Sequence, residues 1–216
     1  MSVAVIADIV GSRGLADRAV AQRIIDQSVL TVEQDFPSAE RPLQPTVGDE
    51  LQGVYPTVTA AMSGLLLLRL VLPEGIDCRY GIGIGTLIEV PSRVGALAEG
   101  PGWWAAREAI DIVHARQARS VRGSRTWIVA ADEADAVGTH VANAYVLARD
   151  QVISEMSERT RRLTYGRLLG RTQGDLARAE GITQSAVSQA LATAGAGALI
   201  EGFAQLQIAG TAAGES

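Results

Sequence analysis

The chain has 216 residues, 47% of them hydrophobic, and a formal net charge of −5; it is long enough for one large domain or two modest ones around a real core, and no global basic field draws it to nucleic acid. All 19 basic residues are arginine, so a lysine-bearing P-loop, a Schiff-base nucleophile and a pyridoxal site are excluded. The one cysteine, Cys78, excludes intrachain disulfides and multi-cysteine zinc motifs.

The chain opens directly on VAVIADI, a β-branched strand buried on both faces that carries one carboxylate, Asp8, near its end. No signal peptide is read there, and a cytoplasmic location is expected. Gly11 and Ser12 turn the chain toward an amphipathic helix from about Asp17 to Glu33, with Ala21, Ile24, Ile25, Val29 and Val32 at helical spacing. A proline-spaced loop, Pro37 to Pro45, leads into TVGDELQGVYP (46–56), which reads as a hairpin joined at Gly48, Asp49 and Glu50. Residues 57–72 form a second helix; its apolar run is too short to cross a bilayer and Arg69 interrupts it, so it reads as core and no membrane partner is expected. DCRYGIGIG (77–85) is a strand whose alternate glycines let something approach its backbone. EGPGWWAAREAIDIVHARQA (99–118) is a loop and a helix, and SRTWIVA (124–130) is a last strand. His114 and His140 lack metal-ligand spacing and are assigned to helix faces. The order describes an α+β sheet with helices on one face over residues 1–131. Residues 132–208 then read as a helical linker and an all-α DNA-binding domain, and 209–216 as a frayed tail.

QGDLARAEGITQSAVSQAL (173–191) carries the pattern of a helix-turn-helix. Leu176 and Ala177 mark the buried face of a first helix, Gly181 the sharp turn, and Ile182 and Val187 the contacts that lock a second helix across it. The second helix would turn Thr183, Gln184, Ser185, Ser188 and Gln189 outward, short or amide side chains suited to base edges and phosphates. Arg171, Thr172 and Gln173 stand at the entry to this segment as further candidate DNA contacts. Arg159, Arg161, Arg162, Arg167 and Arg171 cluster just before it, where they could meet phosphates or line a solvated helix face.

Asp8 at a strand end and Asp49 in a tight turn are the candidate metal ligands, with Ile9 beside them. Two nearby carboxylates repel each other unless a divalent cation sits between them. Mg²⁺ suits such a site because it takes oxygen ligands and brings substrate phosphates with it. Gly11 and Ser12 would offer backbone N–H groups to those phosphates, and Glu50 would be a third acid. The alternative is a helix cap at Asp8 and a plain turn residue at Asp49.

ADIVGS, VGDELQG and RYGIGIG, in this order, resemble class III nucleotide cyclases and diguanylate cyclases. That resemblance implies a palm-like, ferredoxin-like sheet and two metal-binding aspartates, matching Asp8 and Asp49. With GPGWWAAREAI and the C-terminal helices, the chain as a whole resembles the SatD family of bacterial proteins. Cyclases place N-x-A-x-R on the helix after the RYGIGIG strand. Here that stretch is GPGWWAAR, so Arg107 is retained as a phosphate ligand, the Asn is absent, and Trp104 is placed to stack on a base. The base-reading lysine of adenylate-specific cyclases is absent too.

Two functions follow from these features. One is a transcription regulator whose cyclase-like domain senses a nucleotide or other phosphorylated small ligand, with Mg²⁺, while the helix-turn-helix binds DNA. A homodimer is expected, its two-fold axis setting recognition helices about 34 Å apart. The other is an active Mg²⁺-dependent cyclase or nucleotidyl-transfer enzyme, with Asp8 and Asp49 holding the metals. A partner-binding protein that takes neither nucleotide nor DNA is the third reading.

Overall fold

Strand β1 (Val3–Ile9) lies at the centre of a five-stranded sheet, as a strand of almost wholly apolar residues must. The computed structural model describes residues 1–11, 17–46, 48–92, 95–119, 121–132 and 136–214. After β1 come α1 (Arg18–Asp35), β2 (Arg41–Pro45), β3 (Glu50–Tyr55), α2 (Val58–Val71) and β4 (Cys78–Ile84). A separate two-stranded hairpin, β5 (Ile88–Ser92) and β6 (Gly95–Glu99), precedes α3 (Pro101–Arg119) and β7 (Thr126–Ala130). Five helices follow: α4 (Ala136–Ser154), α5 (Glu158–Leu168), α6 (Gln173–Glu180), α7 (Gln184–Thr193) and α8 (Ala196–Gly214).

The sheet order is β2-β3-β1-β4-β7, antiparallel except for the parallel pair β4 and β7. The period-two alternation of β1 sends its residues to two different packing layers. Ala4 and Ile6 meet Trp103, Ala106 and Ile110 of α3. Val3, Val5, Ala7 and Ile9 join the larger core with Ile25, Val29 and Val32 of α1 and the leucines of α2. Helices therefore cover both faces, not one as the order of elements implies. Gly81 and Gly83 make the α3 layer possible: a Cβ at either would strike the α3 backbone, at Ala106 and at Gly102 and Ala106 respectively.

The first hairpin strand starts earlier than expected. Pro42 and Pro45 lie within β2, tolerated because β2 is an edge strand whose outer side has no ladder partner to lose. At the opposite edge, β7 is covered by α4. Asn143 accepts from the Ile128 amide (2.9 Å) and donates to the Ile128 carbonyl (2.8 Å), so one amide side chain stands in for a neighbouring strand. Asp150 accepts from the amides of Arg125 (2.8 Å) and Thr126 (2.7 Å). The larger hydrophobic cluster runs from Val3 to Phe203, so residues on either side of Asp132 share it.

The C-terminal helices are bounded by local chemistry. Ser157, Thr172 and Thr183 cap α5, α6 and α7 by accepting amides one turn on, and Thr172 with Asp175 closes a full capping box. Gly181 ends α6 in the left-handed region, φ 64°, and turns the chain into α7. Leu176, Ala177, Val187 and Leu191 bury the facing sides of α6 and α7.

Candidate functional site

The register of the sheet assembles a polar cluster at one end of the α3-covered face. Asp8 is opposite Glu50 of β3 on one side and Arg79 of β4 on the other. Because directly paired residues share a face, all three side chains emerge together, two positions beyond Ile6 and Gly81. Arg79 Nη1 donates to Asp8 Oδ2 at 2.7 Å, and its Nε donates to Gln117 Oε1 of α3 at 2.5 Å. Arg107, on the outer side of α3, reaches back to both oxygens of Glu50, at 2.7 and 2.6 Å. Gln52 adds a second donor to Glu50, at 3.0 Å.

Burial pushes the Asp8 carboxyl above its ordinary value. The Arg79 contact opposes that push and the nearby Asp49 charge adds to it, so desolvation wins over the ion pair. Asp49 is thus electrostatically coupled to Asp8, as expected of two acids at one sheet edge. Among the described residues, no three His, Cys, Asp or Glu side chains are grouped so as to hold a metal ion. The donor set fits a divalent cation only as a shared ligand. Asp8 and Asp49 would supply two carboxylates and a ligand's phosphates the rest, with Arg79 giving up its hold on Asp8. Ile9 is buried in the core, so its side chain can contribute nothing to such a site.

The remaining candidates fall less neatly. Gly11 is exposed with φ 67°, just past the strand end. Ser12 lies outside the described residues. The helix N-terminus expected to receive phosphate is already filled: Asp17 caps α1 and accepts from the Val20 amide at 3.0 Å. A second anion there would meet a carboxylate. Trp104 is 64% exposed, one turn before Arg107, while its neighbour Trp103 is 5% exposed and packs against the sheet beneath the Arg41 guanidinium. One indole is therefore core and the other is available at the surface. The sequence reading overlooked Arg79, Gln52 and Gln117. Arg79 was detectable, since a charge two residues before Gly81 in a buried strand must share the face of that glycine.

The second candidate surface is α6 and α7. Gln184, Ser185, Ser188 and Gln189 are exposed along α7, with Arg171 and Thr172 exposed before α6 and Gln173 half-buried. The hydroxyls of Thr172 and Thr183 are first of all helix caps. The arginine cluster divides. Arg162 holds both oxygens of Glu180 at 2.9 Å and Arg159 lies 3.8 Å from the same carboxylate, so this pair ties α5 to α6 while both side chains stay open to water. Arg167 donates to the Arg171 carbonyl, and the Arg171 side chain remains at the surface.

A family model described as the SatD family matches residues 2–199. No curated protein matches the chain. Among solved structures, the catalytic core of a rhodopsin-guanylyl cyclase with converted specificity, in complex with ATPalphaS, is 16% identical, covering 51% of this chain and 71% of that one with a TM-score of 0.40. The adenylyl cyclase CyaB from P. aeruginosa is 15% identical, with 49% and 68% covered and a TM-score of 0.35. The dimeric guanylyl cyclase domain of the RhoGC fusion protein from Blastocladiella emersonii is 14% identical, with 51% and 73% covered and a TM-score of 0.38. Among the described residues, no helix is long and apolar enough to cross a membrane.

Proposed function

The chain belongs to the SatD family, and on that premise we propose that it is a ligand-responsive DNA-binding regulator. In this reading α6 and α7 form a helix-turn-helix, and the sheet-edge cluster takes a nucleotide or other phosphorylated small ligand. The observation that carries it is the outer face of α7. Its exposed residues Gln184, Ser185, Ser188 and Gln189 are uncharged hydrogen-bonding side chains, while Val187 and Leu191 bury the opposite face. A helix serving only to pack would be expected to present charge to water there. Amide and hydroxyl groups match the donors and acceptors of the major groove. Arg171 at the start of α6 is positioned for phosphate.

At the sheet edge, Arg107 and Arg79 supply guanidinium groups to a ligand's phosphates, and Trp104 an exposed indole to its base. A bound Mg²⁺, on Asp8 and Asp49, would neutralise the phosphate charge that the two carboxylates otherwise repel. A two-fold homodimer would present two α7 helices to successive turns of the groove, and a ligand that favoured one spacing would change affinity for DNA.

Fluorescence anisotropy tests this reading with the full chain and DNA from upstream of its own gene, at two salt concentrations, with and without Mg²⁺ and a nucleotide panel. Sequence-specific binding that weakens by about tenfold or more in the Gln184→Ala and Gln189→Ala double variant is expected, since each base contact is worth ~1–3 kcal/mol. Absence of specific binding under every condition would overturn it.

The proximity of Asp8 and Asp49 favours a second reading, a Mg²⁺-dependent nucleotide cyclase or nucleotidyl-transfer enzyme. There Asp8 and Asp49 hold the metal and Arg107 meets the phosphates. Turnover of a nucleoside triphosphate that disappears in the Asp49→Asn variant would establish it. No turnover with any triphosphate would remove it.

A further inference from the structure

A cleft of about 460 Å³ opens where the sheet meets the α4–α5 corner, on the side away from α3. Arg69, Arg125 and Arg161 line it with the acids Glu74, Asp77 and Glu158, and Val10, the residue after β1, forms part of its wall. The two signs are equal in number, but Glu74 is exposed to water and the pairing of the others is uneven. Asp77 is held by Arg125 at 2.6 Å and lies 3.8 Å from Arg69, and Arg69 is held again by Asp150 at 3.1 Å. Glu158 is taken by Arg162 at 2.8 Å. Arg161 is left over. Among the described residues it makes no ion pair, and its Nε is buried without a hydrogen-bond partner.

A guanidinium N–H buried without an acceptor is costly, and the cost is removed by an acceptor that enters from solvent. The start of helix α5 is already served, since Ser157 accepts the Thr160 amide and Glu158 stands in the first turn, so the acceptor is called for by Arg161 itself. Arginine fork geometry matches a planar or tetrahedral oxyanion. We propose that this cleft is an oxyanion-binding site for the phosphate or carboxylate group of a small molecule, with Arg161 as its principal ligand. It is separate from the sheet-edge cluster. Its wall includes Val10, whose amide donates to the Asp77 carbonyl at 2.9 Å, so an occupant would touch the strand end that carries Asp8.

Calorimetric titration of the full chain with inorganic phosphate and with acetate, at constant ionic strength, tests the proposal. The Arg161→Gln, Arg107→Gln and Arg23→Gln variants are compared with the unsubstituted protein after circular dichroism has checked their folding, Arg107→Gln reporting on the sheet-edge cluster. Saturable binding is expected, weakened at least about tenfold by Arg161→Gln because a charge-assisted hydrogen bond is lost, and unchanged by Arg23→Gln, which removes an exposed arginine of α1 outside both sites. Phosphate binding alone would identify a phosphorylated ligand; equal binding of acetate would identify a carboxylate. A second readout needs no variant: the Arg161 Nε–H resonance should shift on adding phosphate. Binding untouched by Arg161→Gln, loss of binding only with Arg107→Gln, or no saturable binding of either anion would overturn the site.

Discussion

Two arginine–carboxylate clusters stand on opposite faces of the same sheet, and they behave as different materials. On the core side, Asp150 is 0% exposed, Arg149 2% and Arg69 3%. Asp150 meets both guanidinium groups, at 2.9 and 3.1 Å, and accepts two backbone amides. Arg149 also donates to Thr126 and to the Met62 carbonyl, and Arg69 to the Asp150 carbonyl. Every charge there is closed off by protein. On the α3 side, the Arg107 side chain is 49% exposed beside Glu50 at 19%, and the Asp8 side chain 28% beside Arg79 at 11%. Among the described residues, Asp8 pairs with Arg79 alone and Glu50 with Arg107 alone. The same residue types thus serve as a rivet where water is absent and as an exchangeable contact where one partner of each pair, Arg107 or Asp8, is open to water.

The sharpest way to break this contrast is Asp150→Ala. It strands two buried guanidinium groups and two edge amides, and the expected loss is about 3–5 kcal/mol in denaturant unfolding, or failure to fold. A loss below about 1 kcal/mol would place the buried cluster in the same class as surface pairs. Next is Gly83→Ala, which drives a methyl into the α3 backbone and should cost roughly 1–3 kcal/mol. If α3 instead lifts without cost, the Arg107–Glu50 contact is not held by sheet packing, as double-mutant measurement of that pair would reveal.

A smaller effect is expected from pH. The Asp8 carboxyl lies above its ordinary value in the folded chain. Its contribution to stability is therefore whole below the ordinary carboxylate range and is lost as pH rises through the raised value. Asp8→Asn should flatten that part of the stability profile, and an unchanged slope would mean that Asp8 is already solvated. The smallest is Arg162→Ala, worth less than about 1 kcal/mol because the pair with Glu180 is half-exposed. Its pH signature has the opposite sign. Hydrogen bonds from Arg162 hold Glu180 below its ordinary value, so that contribution is present above the ordinary range and fades as pH falls. The variant should abolish the fading.

The strands β1, β4 and β7 and the helices α1, α2 and α3 were legible in the chain because each rests on a local period: alternation or apolar runs for strands, 3.6-residue spacing for helices. Gly181 was legible for the same reason, since a left-handed turn is decided within a few residues, whereas Thr172 and Thr183, read as DNA contacts, are the caps of α6 and α7. β2 was hidden because its prolines argue for a loop unless the strand is known to be an edge. The hairpin β5–β6 carried no reading at all. Asp8, Asp49 and Arg107 are legible in the sequence as candidate metal and phosphate ligands, a role that stays a proposal, but Arg79 and the tie of Arg107 to Glu50 are not. Those depend on the register that sets residue 8 opposite residues 50 and 79, and register is a non-local choice. In the same way, the sequence determined that five arginines stand between residues 159 and 171. Only the tertiary structure decided that Arg159 and Arg162 turn to Glu180 while Arg161 is left in a cleft, because the partner of a charged side chain is whichever opposite charge the packing brings within reach.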